Sequence, residues 1–135
     1  MPAVDIVDES FLVVPRRIVA EVVARPERWR AWWPDLEIEV FLDRGLDGMA
    51  WTVAGPLVGS TEIWLEEHPR GVVLHYYLRA EPTIPGSSIQ PRTLPDSPRS
   101  RRHLDGMRRE RVLHWKRIMW ALKDELEAQG ASTWS

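Results

Sequence analysis

A chain of 135 residues is long enough to bury one core and too short for two comfortable domains, so a single domain over residues 1–135 is expected. Hydrophobic residues at 44%, charged residues at 28% and a formal net charge of -2 give no whole-chain attraction for nucleic acid or anionic lipid. With no cysteine and four histidines (68, 75, 103 and 114) that lack helical ligand spacing, disulfides and thiolate metal sites are excluded and no metal or cofactor is expected.

The first ten residues, MPAVDIVDES, carry acids where a secretory signal needs a basic flank and an apolar run. No window approaches the ~18 apolar residues of a membrane span, and the expected compartment is the cytoplasm. Residues 4–14, VDIVDESFLVV, predict a first strand with a bulge where the alternation slips. Pro15 suits a first helical turn, Ile18, Val19, Val22 and Val23 recur at helical spacing, and Pro26 opens a second short helix through Trp33.

From Leu36 the pattern changes to short strands: LEIEVFLD, GMAWTVA, VGSTEIWLEE and VVLHYYLRA, separated by glycine and proline, which predict an antiparallel meander. A four-residue loop at 68–71 sets Leu65 opposite Leu74, Ile63 opposite Tyr76 and Thr61 opposite Leu78. That makes one face of the hairpin apolar and leaves Glu62, Trp64, Glu66, His75, Tyr77 and Arg79 on the other, the face expected to point outward. Residues 81–102 hold five prolines and predict a long, mobile loop. From about His103 to Gln129 helical spacing returns, with Leu104, Met107, Trp115, Ile118, Met119, Leu122 and Leu126 on one stripe and Gly130 just past the end.

Three stretches, VPRRIVAEVVARPERWRAWWPDL, EIWLEEHPRGVVLHYYLRAEP and WKRIMWALKDELE, set in the order strand, two short helices, meander, long helix, resemble the START-like superfamily. They look most like small bacterial members of its polyketide cyclase/dehydrase and lipid-transport family. The resemblance implies an α+β helix-grip fold, in which a curved antiparallel sheet surrounds a long C-terminal helix and leaves a cavity for a hydrophobic small molecule. The family has seven strands; here five precede the proline-rich segment.

Four groups of residues carry candidate chemistry. Trp29, Trp32 and Trp33 crowd into five positions before Pro34; a structural plug is the favoured reading and a pocket lining the second, with Trp29 and Trp33 as the pair sharing a helix face. Arg111 falls on the apolar stripe between Met107 and Trp115, where a charge needs an anion or acceptors: the favoured reading is a snorkelling side chain or an ion pair with a sheet acid such as Glu62, and the second a ligand acceptor at the cavity mouth. His75, Tyr77 and Glu62 gather an imidazole, a phenol and a carboxylate, the groups an acid/base enzyme uses. Eight Arg or Lys lie between Arg99 and Arg117, a basic run that is either a solvated helix face or a surface for RNA or anionic membrane.

The favoured function is binding or transport of a small hydrophobic ligand, lipid or polyketide-like, lined by Trp33, Tyr76, Leu78, Met107, Trp115 and Met119 with Arg111 as polar anchor. The alternatives are a cofactor-independent cyclase/dehydratase using His75, Tyr77 and Glu62, and an interaction module acting through the basic helix. Trp120 and Leu113, on the opposite side of that helix, suggest a homodimer.

Overall fold

A computed structural model describes residues 2–129. Five strands, β1 (Val4–Leu12), β2 (Glu37–Asp43), β3 (Gly48–Ala54), β4 (Leu57–His68) and β5 (Gly71–Pro82), form one antiparallel sheet in the order β1-β5-β4-β3-β2. Helices α1 (Arg16–Val23) and α2 (Pro26–Trp32) follow β1, and α3 (Pro98–Glu127) follows the sheet. This is the α+β helix grip, with the sheet open at β2. No described helix is long and apolar enough to cross a membrane.

The β4–β5 hairpin has the expected register, with Leu65 opposite Leu74, Ile63 opposite Tyr76 and Thr61 opposite Leu78. Its loop is shorter than the expected four residues, because His68 and Gly71 still pair and only Pro69 and Arg70 turn. Shortening the loop by one residue on each strand keeps the partners unchanged. The apolar face is the buried one: Ile63, Leu65, Leu74, Tyr76 and Leu78 are buried together with Val4, Ile6 and Leu12 of β1.

The expected bulge in β1 is absent, since pairing runs without a break from Val4 opposite Ala80 to Leu12 opposite Val72. The interrupted alternation comes from Asp8, which stays on the inner face and is neutralised there by Lys116 of α3 at 2.5 Å. The irregularity lies in β2 instead, between Val40 and Leu42. At Gly48, φ is 112° and β3 runs so close to β4 that a β-carbon would sit 2.0 Å from the Ile63 carbonyl oxygen.

Helix α3 begins five residues earlier than expected. Ser97 caps it, its hydroxyl oxygen accepting the Ser100 N–H at 3.2 Å, and Pro98 fills the first helical turn. The connecting loop therefore spans only 83–97, and it is tied down: the Gly55 N–H donates to the Ser88 carbonyl, Thr83 N–H to Pro56, and Ile84 N–H to Gln90. Along α3, Trp115, Met119, Leu122 and Leu126 are buried, while Leu104, Met107 and Ile118 are half-buried; Gly130 lies outside the described residues. The helix runs alongside β1 in the same direction. Arg108 and Lys123 donate to the carbonyls of Asp5 and Phe11, and Glu127 accepts the Val13 N–H, which blocks much of that sheet edge.

Candidate functional site: an aromatic core beneath the long helix

Trp33 stands just past the last residue of α2. Its φ of −130° and ψ of 65° take it out of the helix while its N–H still bonds the Trp29 carbonyl at 2.8 Å, and Pro34 stops any continuation. The i, i+4 face expected to pair Trp29 with Trp33 is therefore lost. Both rings meet Trp51 of β3 instead, at centroid distances of 5.4 and 5.1 Å. Trp51 is fully buried, and nothing in the spacing of WRAWW pointed to it.

Trp115 of α3 completes the cluster. Its ring stacks on Tyr76 at 3.8 Å and lies nearly parallel to Trp33 at 6.2 Å. Of the seven residues expected to line a ligand, the structure thus puts Trp33, Tyr76 and Trp115 into one cluster, with Leu78 on the same sheet face and Met119 one turn along α3, all buried. Met107 packs half-buried against the core.

The cluster leaves hydrogen-bonding groups unmatched. The Trp29 indole N–H donates to the Val23 carbonyl at 2.6 Å. Those of Trp33, Trp51 and Trp115 are buried and make no hydrogen bond among the described residues. A buried donor without a partner costs about 1–3 kcal/mol, and a buried tryptophan normally finds one. Trp33 touches both of the others, so the three donors belong to one contiguous cluster. Burial pushes the Tyr76 phenol above its ordinary pKa, and the neighbouring side chains of Thr61 and Trp33 offset part of the shift. On the same face, Asp8 Oδ2 is buried and unpaired while Oδ1 holds Lys116.

Arg111 sits at the seam between α3 and the turn after α2. Its guanidinium grips both oxygens of Asp35, at 3.0 and 2.5 Å, and holds that carboxyl below its ordinary pKa. The sheet acid suggested as its partner, Glu62, pairs with Arg44 at 3.1 Å. Two further contacts fasten the seam: His114 Nε2 donates to the Trp32 carbonyl, and Arg28 pairs with Glu125. Beside them opens a cleft of about 390 Å³ lined by Pro34, Asp35, Arg111, Leu113, His114 and Arg117, among others.

His75, Tyr77 and Glu62 lie on the outward face of the sheet, away from this cluster. His75 is buried under Trp64, stacked at 4.3 Å, with Nε2 at 2.9 Å from Glu66 and Nδ1 at 3.3 Å from Glu9. Tyr77 stands opposite Glu62 and under the Arg79 guanidinium, in a shallow depression of about 100 Å³. The imidazole is thus engaged by carboxylates other than the one expected to work with it. Among the described residues no group of His, Asp and Glu side chains is arranged to hold a metal ion.

No family model matches the chain, and no curated protein does. Among solved structures, the crystal structure of DR_A0006 from Deinococcus radiodurans matches with a TM-score of 0.52 at 14% identity, covering 85% of this chain and 95% of that one. A START superfamily protein from Mycobacterium smegmatis matches with a TM-score of 0.49 at 12% identity, covering 90% of this chain and 98% of that one. At such identity the likeness speaks for the fold alone. An antiparallel sheet, two short helices after its first strand and a long helix packed on its inner face give this chain an α+β helix-grip fold, whose overall path DR_A0006 shares.

Proposed function

We propose that this chain binds a small hydrophobic molecule carrying acceptor oxygens, lipid- or polyketide-like, between the sheet and α3, and acts as a carrier. The observation behind this reading is the trio of buried indole N–H groups on Trp33, Trp51 and Trp115. A purely structural plug gains nothing from three unmatched donors, whereas a ligand carboxylate or carbonyl turns each cost into a hydrogen bond. Tyr76, Leu78, Met107 and Met119 supply apolar contact, and the ring faces of Trp33 and Trp115 grip the ligand body. Access runs through the seam beside Asp35 and Arg111, where parting one ion pair frees the guanidinium to meet an anionic headgroup.

Calorimetric titration of refolded, ligand-stripped protein with oleate and with the anthraquinone emodin tests this. Binding of at least one is expected, and Trp33→Phe or Trp115→Phe, which keep an aromatic ring but remove the N–H, should weaken it roughly 10- to 100-fold, as expected for a hydrogen bond to a charged or strongly polar acceptor. No binding of either probe, or affinities unchanged in both variants, would overturn the reading.

A further inference from the structure

The face of α3 turned away from the sheet has a composition unlike the rest of the helix. Arg99, Arg102, Arg109, Leu113, Arg117 and Trp120 recur at helical spacing and share one stripe roughly 30 Å long, with Glu110 along its edge and Asp124 one turn beyond Trp120. Leu113 is 47% exposed and Trp120 64%.

The basic residues of α3 divide cleanly by face. Off the stripe each is engaged: Arg101 with Asp96, Arg108 with the Asp5 carbonyl, Arg111 with Asp35, Lys116 with Asp8, and Lys123 with Glu127. On the stripe none of the four arginines has a hydrogen bond or ion pair among the described residues. Arg92 from the preceding loop joins Arg99 and His103 in one cleft and extends the charge at that end. The patch is local, because the whole chain is slightly acidic.

We infer that this stripe docks on an anionic phospholipid bilayer, with α3 lying in the plane of the interface. Arginines that line an apolar row can keep their guanidinium groups at lipid phosphates while Leu113 and Trp120 enter the boundary of the acyl region. An RNA would pair with the arginines but leave Leu113 without a counterpart, and a convex single helix offers no groove for stacked bases. A second copy meeting this face about a two-fold axis would bring four unpaired arginines against four more, with only Glu110 and Asp124 of each copy to offset them. The inference does not rest on the ligand reading: it uses the stripe residues of α3, of which only Leu113 and Arg117 also border the cleft beside Asp35.

Flotation of the full chain with vesicles of equal parts phosphatidylglycerol and phosphatidylcholine, and with pure phosphatidylcholine vesicles, tests it. Binding to the mixed vesicles alone is expected, weakening as salt rises. The double variant Arg102→Gln/Arg109→Gln should partition roughly 25-fold more weakly, and Trp120→Ala should also lose binding, while Arg101→Gln, off the stripe, should not. All four substituted side chains are exposed, and circular dichroism of each variant checks that α3 is retained. The inference is overturned by absence of vesicle binding, by an equal loss in Arg101→Gln, by binding of single-stranded RNA in place of vesicles, or by a dimer that Trp120→Ala dissolves without any vesicle binding.

Discussion

Replacing Trp115 by phenylalanine separates the contribution of a ring from that of its N–H. Trp115 is 1% exposed and stacks on Tyr76 at 3.8 Å, a contact a phenyl ring can retain. The smaller ring gives up roughly 40 Å² of buried apolar surface, about 1 kcal/mol. The void it leaves adds about 1 kcal/mol more. Against these stands the removal of a buried donor that makes no hydrogen bond, which recovers about 1–3 kcal/mol. The terms nearly cancel, so Trp115→Phe should lie within about 1 kcal/mol of the parent, whereas Trp115→Ala should lose about 3–5 kcal/mol. Urea unfolding of ligand-stripped protein, read by circular dichroism with the denaturant slope held equal, measures both. A loss of more than about 3 kcal/mol for Trp115→Phe would mean that the indole N–H is satisfied in the ligand-free fold, and the case for a ligand acceptor would go with it.

Other consequences can be checked on the same protein. Because Arg111 lowers the Asp35 pKa, the pair stabilises the fold above about pH 4 and that contribution disappears as pH falls through the lowered value. The half-exposed carboxylate limits it to under about 1 kcal/mol, so urea midpoints should fall slightly more for the parent than for Asp35→Asn between neutral and acidic pH, and parallel curves would contradict it. Gly48→Ala forces a β-carbon against the Ile63 carbonyl at a positive φ and should cost more than about 2 kcal/mol, seen as a lowered melting midpoint; an unchanged midpoint would refute the close approach. Ser97→Ala should cost about 1 kcal/mol and fray the first turn of α3 in hydrogen exchange, and unaltered protection at Ser100 would place the start of the helix elsewhere.

The hairpin was legible because its information is local: strict alternation in EIWLEE and VVLHYY determines which side chains share a face, and the turn between them determines the register. The start of α3 was legible too, in Ser97 followed by Pro98, but five prolines nearby made the segment read as loop, when Pro82 closes a strand and Pro98 opens a helix. Asp8 breaks the pattern of β1 for a reason that lies 108 residues away, in Lys116. The same holds for Asp35, whose pairing with Arg111 depends on how α2 and α3 meet. Hydrogen-bond matching of Trp33, Trp51 and Trp115 is a property of the assembled core, so spacing alone gives no sign of it.

The most direct measurement follows the tryptophan indole cross-peaks in a two-dimensional proton–nitrogen spectrum during titration with oleate, each peak assigned from a Trp→Phe variant. With eight tryptophans in the chain, the core and surface rings report separately. The account predicts downfield shifts, as new hydrogen bonds form, for Trp33, Trp51 and Trp115, with Trp64 on the outward sheet face unmoved. Core cross-peaks that stay in place while oleate binds would contradict it.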